Sequence, residues 1–82
     1  MARILLVEDD EQVRMLIQDM LRDADHEVDS TTTVLNGREL LDSRVYDLLL
    51  SDGRLPDGNG FMVAEKARQN GVKGSDTDRV CL

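Results

Sequence analysis

The stretch Asp47-Leu48-Leu49-Leu50-Ser51-Asp52-Gly53-Arg54-Leu55-Pro56-Asp57-Gly58-Asn59-Gly60 carries most of the structural information in this chain. Three leucines run without a break towards a carboxylate, and a Gly/Pro/Asn loop then opens onto a helical pattern. A short apolar run bounded by turn residues reads as a strand buried on both faces, as in a parallel sheet. Open α/β sheets hold their ligands in the crevice beyond the carboxyl ends of the strands. Asp52 falls at such an end, which makes it the first candidate site residue.

Upstream, Arg3-Ile4-Leu5-Leu6-Val7-Glu8 repeats the pattern: a short apolar run that ends in acid. A buried strand is expected over Arg3 to Val7. Glu8, Asp9 and Asp10 follow, and then Val13, Leu16, Ile17, Met20, Leu21 and Ala24 recur at spacings of three and four. That periodicity predicts an amphipathic helix from about Glu11 to Ala24 with those residues inward. Asp10 suits its N-cap and Glu11 its positive end. His26 to Ser30 alternates weakly and suggests a short edge strand. Thr31 to Thr33 can cap a second helix over Val34 to Asp42, with Leu40 and Leu41 inward, although Gly37 weakens it by roughly 1 kcal/mol relative to Ala. The leucine strand is expected over Tyr46 to Ser51. Gly58-Asn59-Gly60 leads into a third helix from about Phe61 to Gln69, which Asn70-Gly71 can end. The order is β-α-β-α-β-α with short connections, which implies right-handed crossovers and a parallel sheet. Within the tail, Arg79 to Leu82 looks like the start of a further strand.

The chain has 82 residues, a formal net charge of −7 and a single cysteine, Cys81. That length provides one small domain with a modest core. The acidity argues against nucleic acid or an anionic membrane as a direct partner, and suits a bound cation, a basic protein or simple solubility. One cysteine precludes an intramolecular disulfide and fits a reducing, cytoplasmic setting. No apolar stretch approaches transmembrane length and no signal-peptide pattern opens the chain.

If the first and third strands are neighbours, Glu8, Asp9 and Asp52 share one rim. Three crowded carboxylates repel one another unless a cation neutralises them. A hard divalent ion with oxygen ligands is the natural occupant, and Mg²⁺ characteristically uses one or two carboxylates, several waters and a phosphate oxygen. The plainer reading is that Glu8, Asp9 and Asp10 merely begin a helix at its positive end. It does not account for Asp52 at the end of a second leucine-rich run, and the site reading is preferred.

Ile4-Leu5-Leu6-Val7-Glu8-Asp9-Asp10 together with Asp52-Gly53-Arg54-Leu55-Pro56-Asp57-Gly58-Asn59-Gly60 resembles the receiver domain of bacterial two-component response regulators, over about Arg3 to Val72. The resemblance implies an α/β, incomplete flavodoxin-like three-layer fold with a parallel sheet of order 2-1-3, which a second chain can complete. It implies a half domain over residues 1–72 and a tail over 73–82 that can begin a fourth strand. Asp52 matches the phosphoacceptor, which takes a phosphoryl group from a phosphohistidine. Asp9 matches a direct Mg²⁺ ligand, Glu8 one that acts through a metal-bound water, and the backbone carbonyl of Arg54 a further ligand. The implied partners are a sensor histidine kinase or histidine phosphotransfer protein. Asp10 is expected to cap the helix, Asp57 to occupy a turn near the rim, Pro56 and Gly60 to shape the loop, and His26 to lie at the surface far from it.

The sequence also departs from the family. Receiver domains carry a Ser or Thr at the end of a fourth strand and a Lys at the end of a fifth, both touching the phosphoryl group; Lys73 does not match that lysine. Slower phosphorylation or a shorter-lived product is expected in consequence. The leucine strand would be an open edge, or be covered only by Arg79 to Leu82, and an open apolar edge invites a homodimer. The competing functional reading is a degenerate half-receiver that dimerises or binds a partner without phosphotransfer. A Mg²⁺-dependent phosphatase is weaker, because no second acid lies two residues beyond Asp52 to act as general acid.

Overall fold

The computed structural model describes residues 2–75. Its elements are β1 (Arg3–Val7), α1 (Glu11–Asp23), β2 (Glu27–Thr31), α2 (Val34–Ser43), β3 (Leu48–Ser51), β4 (Arg54–Leu55), β5 (Gly58–Asn59), α3 (Gly60–Gln69) and β6 (Lys73–Ser75). The main sheet is parallel and ordered β2-β1-β3-β6, while β4 and β5 form a separate antiparallel hairpin. The expected 2-1-3 arrangement is therefore present, extended by one strand. No helix among the described residues is long and apolar enough to cross a membrane.

The two apolar runs become the central strands because burial on both faces rewards them. Ile4, Leu5, Leu6, Val7 and Leu49 are each at most 2% exposed, and burying one such side chain is worth roughly 1.5–3 kcal/mol. Alternation divides them between two faces. Leu5, Val7 and Leu49 join Val34, Leu41, Tyr46, Leu55, Val63, Ala64 and Ala67 in the main core, beneath α2 and α3. Ile4 and Leu6 turn the other way. Leu6 is in register with Ser30, whose hydroxyl donates to Gln18 Oε1 of α1 at 2.6 Å, so this second face is the one α1 covers. The helices on the core side are also tied to each other. Lys66 pairs with Asp42 at 2.8 Å, which holds the Asp42 carboxyl below its ordinary range, and Asn70 Nδ2 donates to the Leu41 carbonyl at 2.9 Å.

Gly37 is explained by close approach. A Cβ there would lie 3.1 Å from Val7 Cγ2 and 3.3 Å from Val63 Cγ1. The lost helix propensity is exchanged for tight seating of α2 on β1. Helices α1 and α3 end alike. His26 N–H donates to the Leu21 carbonyl and Asp25 N–H to that of Arg22, while Val72 N–H donates to Ala67 and Gly71 N–H to Arg68. Both closures need a left-handed residue, Asp25 at φ 68° and Gly71 at φ 79°, and this pairing of bonds is the Schellman motif.

Three expectations change. Leu16 and Met20, expected inward, are 61% and 62% exposed, and no α1 residue is fully buried. The helix meets the sheet through a stripe narrower than its apolar face. The edge position expected for the leucine strand is taken by β6, with Leu48, Leu49 and Leu50 opposite Lys73, Gly74 and Ser75. This fourth strand begins where the tail does, earlier than Arg79 to Leu82, and those residues, with Cys81, lie outside the described ones. Lys-Gly-Ser is a poor strand former; the unpaired backbone of β3 supplies the reason for pairing that its side chains do not.

Candidate functional site

Strand register builds the site. Val7 is the partner of Ser51 across β1 and β3, and the Asp52 N–H donates to the Val7 carbonyl at 2.9 Å. The next residues, Glu8 and Asp52, therefore emerge side by side at the carboxyl end of the sheet. On its other flank Glu8 is fixed by its own N–H, which donates to the Thr31 carbonyl at 3.0 Å. Glu8 is 1% exposed, Asp52 is half-buried and Asp9 is exposed. One carboxylate oxygen from each of Glu8, Asp9 and Asp52 lies within 4.8 Å of the others. The three acids expected at one rim are brought together.

Neighbouring groups hold this arrangement. Glu8 Oε2 accepts the Asp10 N–H at 3.2 Å, and Arg14 Nη1 donates to the Glu8 carbonyl at 3.2 Å. Asp10 caps α1 as expected, with Oδ1 accepting from the Gln12 and Val13 amides at 2.9 and 3.1 Å. It is thereby committed to the helix. The positive end of α1 points at the rim and favours negative charge there.

The loop after Asp52 is tightly built. The Arg54 N–H faces Asp52 Oδ1 at 3.5 Å, and Ser51 Oγ donates to the Asp52 carbonyl at 3.1 Å. Arg54 pairs with Asn59 and Leu55 with Gly58, and the Gly60 N–H closes the base of the hairpin on the Gly53 carbonyl at 3.2 Å. Gly60 sits against the strand end so closely that a Cβ would overlap the Asp52 backbone oxygen and reach 2.8 Å from Ser51 Oγ. Only glycine fits. Asn59 then caps α3 by accepting the Met62 N–H at 3.1 Å. Arg54, whose carbonyl was expected to serve as a ligand, opens β4 two residues past Asp52.

Sequence reasoning missed the role of Asp57. Its Oδ1 accepts the Val34 N–H at 2.7 Å and its Oδ2 the Leu35 N–H at 3.0 Å. Those two amide bonds hold the Asp57 carboxyl below the ordinary carboxylate range. A local pattern cannot reveal a cap lent from 23 residues away; the one available signal was an unclaimed acid at a turn tip. His26 lies at the opposite end of the sheet, as expected, and its Nδ1 accepts the Ala2 N–H at 2.9 Å. A cleft of about 860 Å³ also opens at that opposite end, lined by Arg3, Arg44 and Tyr46 among others, and contains none of the three clustered acids.

The donor set at the rim is entirely oxygen and strongly anionic, which is the chemistry a hard divalent cation requires. The residues present fit Mg²⁺.

Comparison with known proteins agrees with this geometry. A family model described as the response regulator receiver domain matches residues 4–80. The transcriptional regulatory protein CiaR of Streptococcus pneumoniae is 42% identical over 76 residues, covering 88% of this chain and 32% of that protein. Among solved structures, the non-phosphorylated HemR receiver domain of Leptospira biflexa is similar with TM-score 0.78 and 37% identity, covering 85% of this chain and 56% of that one. The response regulator TrrA of Thermotoga maritima, solved in complex with Mg²⁺-BeF, is similar with TM-score 0.81 and 28% identity, covering 92% and 65%. The chain thus spans about a third of the length of CiaR.

Proposed function

The chain belongs to the response regulator receiver domain family, a family of regulatory modules, and on that premise we propose that it is a phosphoacceptor in a two-component phosphorelay, with Asp52 as the acceptor and Mg²⁺ as its cofactor. The observation that carries this reading is the convergence of Glu8, Asp9 and Asp52 within 4.8 Å at one sheet end. Glu8, Asp9, Asp52 and the backbone carbonyl of Arg54 would hold the ion. When bound, Mg²⁺ offsets carboxylate repulsion and neutralises charge on the phosphoryl oxygens.

The chain's own residues supply the rest. A carboxylate oxygen of Asp52 is the nucleophile: it forms a bond to the phosphorus of a phosphohistidine as the phosphorus–nitrogen bond breaks, and the imidazole nitrogen keeps the electron pair. The Asp52 backbone, held by Val7 on one side and by Ser51 Oγ on the other, fixes the direction of attack. The phosphoryl donor would be a sensor histidine kinase or a histidine phosphotransfer protein. A homodimer formed by strand addition would meet at an outer strand, β6 or β2, and not at β3, which already has β6 beside it.

Incubation with Mg²⁺ and a small phosphodonor, followed by intact-mass measurement, tests the proposal. A single phosphoryl adduct is expected on the wild type and none on Asp52→Ala or after chelation of Mg²⁺. A wild type that stays unmodified, or an adduct that survives in Asp52→Ala, would overturn it.

A further inference from the structure

The first turn of α2 has a complete account of its amides, and half of it comes from the acceptor loop. Thr33 caps its own helix: Oγ1 accepts the Asn36 N–H at 3.1 Å, and its carbonyl accepts the Gly37 N–H at 3.0 Å. The remaining two amides, Val34 and Leu35, both go to Asp57. Helix starts normally satisfy such donors from neighbouring residues or from water. Here a single carboxylate uses both oxygens, each in a charge-assisted bond.

We propose that Asp57 is a positioning residue for the cation site: by gripping the start of α2 it fixes the hairpin that begins at Arg54, two residues past Asp52, in the geometry the ion requires. The inference rests on the reading of Glu8, Asp9 and Asp52 as a Mg²⁺ site. The mechanical path is short and stiff. From Asp57 it runs through the Leu55–Gly58 and Arg54–Asn59 pairs to the Gly60–Gly53 bond at the hairpin base. Leu55, 8% exposed, anchors the same hairpin in the core. With Asp57 removed, the hairpin keeps its base and loses its tip, and the Arg54 carbonyl lies between the two. Because both oxygens of the Asp57 carboxylate are engaged by the Val34 and Leu35 amides, its effect passes through the backbone.

The test is a Mg²⁺ titration of the full chain, followed by amide resonances well below the melting temperature, for wild type, Asp57→Ala, Asp57→Asn and Thr33→Ala. Asp57→Ala is expected to weaken Mg²⁺ binding roughly three- to tenfold, with Asp57→Asn in between because its amide can accept only one of the two N–H groups. Thr33→Ala removes a bond from the same helix start without touching the hairpin; it should lower the melting temperature and leave the Mg²⁺ dissociation constant within about twofold of wild type. By reciprocity, Mg²⁺ should slow hydrogen exchange of the Leu35 amide in the wild type and not in Asp57→Ala. A wild type that does not bind Mg²⁺ removes the underlying reading. A wild type that binds, with both Asp57 variants within twofold of it or with Thr33→Ala weakened equally, removes the positioning role alone.

Discussion

The two faces of the sheet are built from the same strands and are filled very differently. Under α2 and α3, residues from β1, β3, the hairpin and both helices close around Leu5, Val7 and Leu49, which have no exposed surface. On the other face Ile4 and Leu6 are equally buried, yet α1 covers them with half-buried Val13, Ile17 and Leu21 while Leu16 and Met20 stay more than 60% exposed. The contrast shows that a strongly periodic helix is not by itself a core helix. What counts is how many elements share the face, because one helix can shield only the strip of sheet directly beneath it.

Paired truncations test this asymmetry most severely. Leu49→Ala should cost about 3–5 kcal/mol in denaturant unfolding, since it opens a cavity where several elements meet. Leu16→Ala should change stability by less than about 0.5 kcal/mol. Comparable losses at both positions would mean that the α1 face is as filled as the other. A smaller effect is expected at Tyr46, which crosses the closed core so that its hydroxyl donates to Asp29 Oδ2 at 2.7 Å, where Arg44 also binds at 3.1 Å. Tyr46→Phe should cost about 1 kcal/mol. Burial, reinforced by the Asp29 carboxylate, raises the Tyr46 pKa, so the folded state keeps the phenol proton after the unfolded chain has lost it. The contribution is complete below the ordinary tyrosine value of about 10 and declines as pH rises beyond it; the wild type should show that alkaline slope and Tyr46→Phe should lack it. The smallest effect is a gain. Asp25→Gly relieves a left-handed residue at the end of the thinly covered helix and should stabilise the protein by about 0.5–1 kcal/mol, read as a raised denaturation midpoint.

Much of this architecture was legible because it rests on local periodicity. The boundaries of β1 and the start of α1 followed from an apolar run meeting Glu8, Asp9 and Asp10, and the Asn70-Gly71 ending followed from a glycine able to adopt positive φ. The same ending at Asp25 carried no such flag, as aspartate also serves many ordinary turns. The acid cluster was legible because two neighbouring parallel strands each pass from an apolar run to an acid at the same end of the sheet. The parts that were not legible depend on distant partners. Lys73–Ser75 has no strand signature and pairs because β3 offers an edge. Residues 54–59 read as a loop, and the ladder within them spans only two pairs. Asp57 read as a turn residue because its partners, Val34 and Leu35, lie in a different helix. The exposure of Leu16 and Met20 is a property of what surrounds α1, which no window on the helix itself contains.

The pairing of Val7 with Ser51 makes the length of the segment before β3 a chemical parameter. Deleting or inserting one residue between Ser43 and Asp47 would tend to slide the leucines by one step, and alternate side chains would exchange surfaces. Serine or glycine would then stand where the Asp52 carboxylate now does, with every acid still present in the chain. The meeting of the three acids is held by counting as much as by composition.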